Sequence, residues 1–400
     1  MNVIQSLRET FKKRIGDIPP APDPDVKIVS KRKWKEFDEW KLEYNVENPD
    51  SMPEPAGQRI PAYLLIPKYT LQEGDAGRRR PAMICYHQCN VDCHWGKEAV
   101  VGKVVERPDQ AYGLDLVYQG FVVLAPDSVP CGERFISFIR QEGEEKVCFD
   151  PYGQYLERLG RSWETKTIVD GVRSVDLLQT FDFVDQARIG VIGHSGGAVT
   201  SVRHMACDER IRFGIVSGLG SPFISEEYLA CIAPRPFLQL SGSLDEEGGS
   251  PDERHRKIRK IHSLVRPMYE EHHAAGYLDL RIHRCGHHFL DTFKWEAYAK
   301  LRKSFGLEAQ RETVAITDVL REARQNNWSG INQAPGFPDI GADCEMEVLA
   351  DRRRLGQAFV ILFVHLLSKK PADSCLRVEA RAEKGGLQSV TGSDDIPLGN

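Results

Sequence analysis

The stretch Arg188-Ile-Gly-Val-Ile-Gly-His-Ser-Gly-Gly-Ala198 decides how the rest of the chain is read. Its first half is a short apolar run of the kind that forms a buried strand, and a helix-like stretch, 196–207, follows it. Between them lies Gly193-His194-Ser195-Gly196-Gly197. A Gly-x-Ser-x-Gly pattern at a strand-to-helix junction has a steric reason. The turn is so sharp that it strains the serine backbone and exposes its hydroxyl, and side chains two residues before and after would collide. The following helix would aim its free N–H groups at the serine, where negative charge develops during acyl transfer. Ser195 is therefore the candidate nucleophile. A tight turn that only packs a helix on a sheet would need the same glycines.

Outward from this junction the chain alternates. Strand-like runs cover 62–66, 82–86, 121–125, 189–193, 213–217, 237–241 and 278–282, each short, apolar and bounded by Pro, Gly or charge. Helix-like stretches cover 109–119, 168–181, 196–207, 253–275 and 291–304. The alternation predicts an α/β fold: a doubly wound, mostly parallel sheet with helices on both faces and ligands beyond the carboxyl ends of the strands. Residues 59–309 make this domain. Residues 1–58, with Trp34, Phe37 and Trp40 at near-helical spacing, are expected as an N-terminal extension packed on it. Residues 128–167 are too long for a turn and rich in Phe and Tyr, a lid-like insertion or an extra packed subdomain. Residues 310–400 are a polar C-terminal tail of unassigned role, with its last ~20 residues expected to be disordered on composition.

A serine hydroxyl needs a base, and the base an orienter. After such a turn the acid comes next in the chain and the histidine last. Asp245 sits just past the strand at 237–241, with Glu246 and Glu247 as substitutes. Past the strand at 278–282 comes Cys285-Gly286-His287-His288-Phe289, where His287 or His288 could reach over the serine. His287 is preferred because it directly follows the glycine. For the oxyanion the donors are the backbone N–H groups of Gly196 and of Gln88, with Cys89 as the neighbouring alternative, in the loop after the strand at 82–86. His87 reads as a strand-end residue that orients this loop.

Composition narrows the partners. Hydrophobic residues make up 41% and charged residues 28%, a globular balance, and the formal net charge of −5 disfavours nucleic acid and anionic lipid as partners. No apolar run reaches the ~18–20 residues that span a bilayer, so no membrane association is expected. The N-terminus lacks the pattern of a signal peptide, so the ten cysteines are expected as reduced thiols in a cytoplasm. His87, Cys89, Cys93 and His94 concentrate metal-type ligands, but their spacing matches no zinc pattern, and no metal site is expected.

The sequence resembles the α/β-hydrolase superfamily, and within it the dienelactone-hydrolase-like and acetylxylan-esterase-like branch. The resemblance is carried over about residues 10–305 by the His87-Gln88 turn with Gly96-Lys97-Glu98, by Ala125-Pro126-Asp127 with Gly132-Glu133-Arg134, by Gly160-Arg161-Ser162-Trp163, by Asp170 with Arg173, by Arg188–Gly197 and by Gly286-His287-His288-Phe289. It implies a Ser195–Asp245–His287 triad, no cofactor, and a small-molecule ester as substrate, with short acyl groups such as acetyl favoured. Amide cleavage or acyl transfer on the same triad, or a non-catalytic binding protein that keeps the fold, are the alternatives. The sequence departs from the family at Cys89, where a small hydroxyl residue is expected, and after about residue 310. It leaves the oligomeric state open.

Overall fold

All seven apolar runs lie as strands in one nine-stranded sheet, with the order β1-β2-β3-β5-β4-β6-β7-β8-β9. These strands are β1 (Lys27–Lys33), β2 (Phe37–Asn45), β3 (Arg59–Pro67), β4 (Arg80–Tyr86), β5 (Val122–Pro126), β6 (Val184–His194), β7 (Ile211–Ser217), β8 (Phe237–Gly242) and β9 (Leu278–His283). The computed structural model describes residues 3–47, 59–68, 79–89, 95–104, 106–134, 149–220, 223–247 and 249–307, plus four short strands beyond 307. From β5 across to β9 every neighbouring pair is parallel. β1, β2 and β3 are joined to one another and to β5 antiparallel.

The helices are α1 (Val3–Ile15), α2 (Lys97–Val100), α3 (Tyr112–Tyr118), α4 (Phe149–Arg158), α5 (Trp163–Gln179), α6 (Gly196–Cys207), α7 (Glu226–Ile232), α8 (Pro251–Glu271) and α9 (Asp291–Ser304). They bury the two faces of the sheet in separate cores. Ile84, Leu124, Val191 and Val216 face residues of α1, α5, α6, α7 and α8. Met83, Val123, Ile192 and Ile215 face residues of α3 and α9. Successive strand residues thus go to opposite faces, and both faces are apolar, which explains why these strands read as continuous hydrophobic runs.

Within the N-terminal extension, residues 27–45 add to the sheet as β1 and β2, and the near-helical spacing of Trp34, Phe37 and Trp40 does not make a helix there. Leu42 and Tyr44 of β2 are fully buried, in the two-residue rhythm of a strand. Glu39 interrupts the apolar pattern, and it is accommodated by Lys103 Nζ at 2.8 Å and the Trp34 indole N–H at 3.3 Å. Edge strand β1 is exposed at every position. In the insertion, residues 135–148 lie outside the described residues. Beyond them Leu156 and Tyr152 make a small core of their own with Val129, against which Tyr155 and Trp163 pack.

The chain divides into two compact units, Met1–Leu307 and Glu308–Asn400. In the second, β10 (Glu312–Ala315) pairs with β11 (Glu347–Ala350), and β12 (Arg377–Glu383) pairs with β13 (Gly386–Ser393), both antiparallel. The last pair runs through the stretch expected to be disordered. Val378, Ala380 and Ala382 alternate with charged residues there, and Glu383 pairs with Gly386 two residues away in loop length, a hairpin pattern that bulk composition hides.

Beneath the site loops, Lys97 and Asp127 are wholly buried together. The Asp127 carboxylate accepts from Lys97 Nζ at 2.5 Å, from the Lys97 N–H at 2.8 Å and from the Glu133 N–H at 3.0 Å. Glu133 Oε1 lies 2.6 Å from the same ammonium. A Lys97→Ala variant would leave the Asp127 charge buried without its cation. It should lower the unfolding free energy by about 3–5 kcal/mol, measured as a drop in the urea midpoint.

Candidate active site

Ser195 sits at the carboxyl end of β6 with φ 53° and ψ −119°, a region that L-residues other than glycine seldom enter. Two close approaches hold it there. A Cβ on Gly193 would stand 2.2 Å from the Gly197 carbonyl oxygen, and a Cβ on Gly197 would stand 2.1 Å from the Tyr86 carbonyl oxygen. A side chain at Gly193 would push β6 and the start of α6 apart, and one at Gly197 would push the turn away from β4. The Ser195 N–H donates to the Ser217 carbonyl at 2.9 Å, and the Ser195 carbonyl accepts from Ala198 and Val199, which starts α6. Gly196 is in the first turn of that helix, where N–H groups have no intrahelical acceptor.

The loop after β4 closes over the same point. Cys89, beside Gln88, is the loop residue against Gly196: a Cβ there would lie 2.0 Å from Cys89 Sγ and 3.1 Å from Cys89 N. His87 fixes this loop. Its Nδ1–H donates to the Gln88 carbonyl at 2.8 Å, and its Nε2 accepts from the Ser128 N–H at 2.9 Å. Burial pushes its pKa down, so the ring is neutral and one tautomer satisfies both bonds. Cys93 and His94 lie outside the described residues.

At the ends of β8 and β9 the structure brings Asp245 and His287 together. His287 Nδ1 and Asp245 Oδ2 are 2.8 Å apart. Asp245 is wholly buried, its Oδ1 lies 2.7 Å from Arg254 Nη1, and Oδ1 also accepts the Glu247 N–H at 3.0 Å. Burial alone would raise the Asp245 pKa, but the hydrogen bond from His287 and the charges of His287 and Arg254 hold it below the usual carboxylate range. Of the alternatives, Glu246 is exposed and its carboxylate has no bond among the described residues. His288 is exposed, and its backbone N–H donates to the Gly286 carbonyl. Glu247 is at the site, but on the other imidazole nitrogen: its Oε2 lies 2.6 Å from His287 Nε2, at an angle too oblique for a hydrogen bond.

Beside the serine, the His194 ring packs 4.7 Å from the His287 ring and 6.0 Å from Phe289, centroid to centroid. Its Nδ1 is 3.1 Å from Ser217 Oγ. Burial, with the nearby His287 charge second, pushes its pKa down to about 3, so it stays neutral. The His287 ring therefore packs on the residue that precedes Ser195 in the chain. Among the described residues the Ser195 hydroxyl makes no hydrogen bond to the His287 ring.

Ligand atoms of Asp245, Glu247 and His287 lie within 4.8 Å of one another. The carboxylates, however, flank opposite nitrogens of one imidazole, and Arg254 already neutralises Asp245. The cluster is an ion-paired histidine and not a built metal centre.

No family model matches the chain. A curated protein of Bacillus subtilis named "Putative hydrolase YtaP" is 26% identical over 273 residues, 62% of this chain and 84% of that protein. Among solved structures, an acetyl xylan esterase from Bacteroides fragilis superposes with a TM-score of 0.53 at 16% identity, covering 70% of this chain and 74% of its own. A methylesterase, BT1017, superposes at 0.55 with 18% identity, covering 76% and 64%. A glucuronoyl esterase from Solibacter usitatus does so at 0.52 with 14% identity, covering 75% and 91%.

The chain folds as an α/β-hydrolase. Within this hydrolase fold, Arg254 and the ion-pairing of Glu247 escaped the sequence reading. Arg254 also donates to the Glu247 carbonyl at 2.9 Å and to the Gly218 carbonyl at 2.9 Å, tying the acid loop to the end of β7. The one available signal was an arginine in the first turn of the helix that follows the acid. No described helix is long and apolar enough to cross a membrane.

Burial lowers the His287 pKa, but the hydrogen bond to Asp245, the close Glu247 carboxylate and the charges of both outweigh it and raise it to about 9. A folded pKa above the ordinary value of about 6.5 contributes stability that is complete below pH about 6.5. That contribution is lost as pH rises through 9. Urea midpoints should therefore fall between pH 6.5 and 9.5, and a His287→Leu variant should flatten this fall.

Proposed function

We propose that the protein is a serine hydrolase that cleaves carboxylic esters of small molecules through an acyl-enzyme. Two observations support the reading: the His287 Nδ1 to Asp245 Oδ2 contact of 2.8 Å, and a serine held at φ 53° next to His194, on whose ring His287 packs. Asp245 would fix the imidazole with its proton on Nδ1, leaving Nε2 to take the Ser195 proton as Oγ attacks the ester carbonyl. The Gly196 N–H and a second N–H from the 88–89 loop would stabilise the oxyanion. His287 would then return the proton to the departing alcohol, and water would release the acid from Ser195 by the same steps in reverse order. The esterases that share the fold support ester chemistry, and the acetyl xylan esterase among them favours short acyl groups by analogy. The site needs no cofactor for these steps.

A fluorophosphonate probe should label wild-type protein at Ser195, and wild type should hydrolyse aryl acetates faster than long-chain esters. Ser195→Ala should lose the label and reduce kcat/KM by on the order of 10³-fold or more. Asp245→Asn should retain the fold and lose on the order of 10³–10⁴-fold, as expected when the imidazole tautomer is no longer enforced. A wild-type protein that neither labels nor cleaves simple esters would refute the reading.

A further inference from the structure

The Glu247 carboxylate stands where the proposed mechanism needs nothing but the serine. Its Oε2 is 2.6 Å from His287 Nε2. That nitrogen has no hydrogen-bond partner, although it is buried. We propose that Glu247 is a positioning residue that acts through His287: it holds the imidazole in its protonated, resting form and must swing away before His287 can accept the Ser195 proton. This rests on the triad reading above.

The local architecture fits a side chain that moves on a fixed backbone. The Glu247 N–H donates to Asp245 Oδ1 at 3.0 Å and its carbonyl accepts from Arg254 at 2.9 Å, so the main chain is pinned on both sides. The side chain itself is 61% exposed, and rotation about its own bonds carries the carboxylate into water. The contact is close in distance yet oblique, so it supplies charge attraction without an in-line bond to break. Proton transfer from Ser195 to Nε2 requires that this contact be given up.

The groups that face His287 set the sign. Asp245 and Glu247 come from the loop after β8. Arg254 of α8 reaches the ring only through Asp245, whose charge it offsets. From β6 the neighbouring ring is His194, which stays neutral; Arg107 and His288 act on His194 electrostatically, and Cys285 lies near Asp245. Two anions against one imidazole, with one of them already countered by Arg254, leave Glu247 as the surplus negative charge. Glu247 is held below its usual carboxyl range chiefly by the His287 contact, so it stays ionised wherever the clamp operates.

The test uses full-length protein and two readouts. The first is the NMR titration of the His287 imidazole in wild type, Glu247→Gln and Glu247→Ala. The second is the pH dependence of fluorophosphonate labelling and of kcat/KM for an aryl acetate. Wild-type His287 should hold its proton to about pH 9. Both variants should titrate at least one unit lower, and the acid limb of labelling should move down with them, giving about a five-fold or greater gain in rate one unit below the wild-type midpoint. Because Glu247 is exposed, 1 M NaCl should lower the wild-type midpoint and leave the variants nearly unchanged. Equal midpoints in all three proteins would overturn the clamp while labelling still upholds the triad. Absence of labelling at every pH, in wild type and variants alike, would instead remove the triad and the clamp together.

Discussion

Everything at the site hangs from the contact of the Ser195 turn with β4. Because Gly197 lies against the Tyr86 carbonyl and Gly193 against the Gly197 carbonyl, the chain leaves β6 with a backbone angle that places one hydroxyl proud of the sheet and starts α6 beneath it. The strain is tolerable because the surroundings over-determine it. β6 is flanked by β4 and β7, regularly paired from Gly190 to Gly193, and the Ser217 carbonyl receives the Ser195 N–H. The same closeness brings the 88–89 loop onto Gly196. One packing contact thus sets the positions of both the nucleophile and the groups around it.

The second layer is electrostatic. Asp245 is buried, and a buried carboxylate is costly unless it is paired and hydrogen-bonded. Arg254, the Glu247 N–H and His287 satisfy it from three elements. Arg254 does this while bonding the carbonyls of Glu247 and Gly218, so the arginine that balances the acid also fastens the loops at the ends of β7 and β8. The Lys97–Asp127–Glu133 group plays a comparable part under the insertion, joining the start of α2 to the segment after β5. In both places a charge that would be destabilising alone serves as a tie between loops.

Much of this was legible in the sequence. Strands buried on both faces announce themselves as short apolar runs, so β3 to β9 were each found, although β6 begins at Val184, ahead of the run at 189–193. The glycines around Ser195 have a steric reason that operates at the level of sequence. The order Ser195, Asp245, His287 follows from where strands end. What escaped depends on long-range pairing. β2 was missed because Glu39 and its partners break the apolar rhythm, and β1 because an exposed edge strand has no apolar face to show. Glu247 was read as a substitute for Asp245, since a loop sequence holds no record of which imidazole nitrogen each carboxylate will meet. The β12–β13 hairpin was hidden by averaging charged and small residues over a polar tail.

The exposed strand β1 has a consequence for the molecule in crowded solution. A sheet that ends in a free strand offers unpaired N–H and C=O groups to any extended peptide, including one from another copy. Here that margin carries Lys27, Lys31, Arg32 and Lys33, and its register slips between Ile28 and Ser30. Two of the cations lie over aromatic rings, Lys31 over Trp40 and Arg32 over Trp34. Like charge repels a second such margin, and the irregular register denies an incoming strand a straight ladder. The border of the sheet is in this way defended against fibrous growth by the same charged residues that leave it without an apolar face.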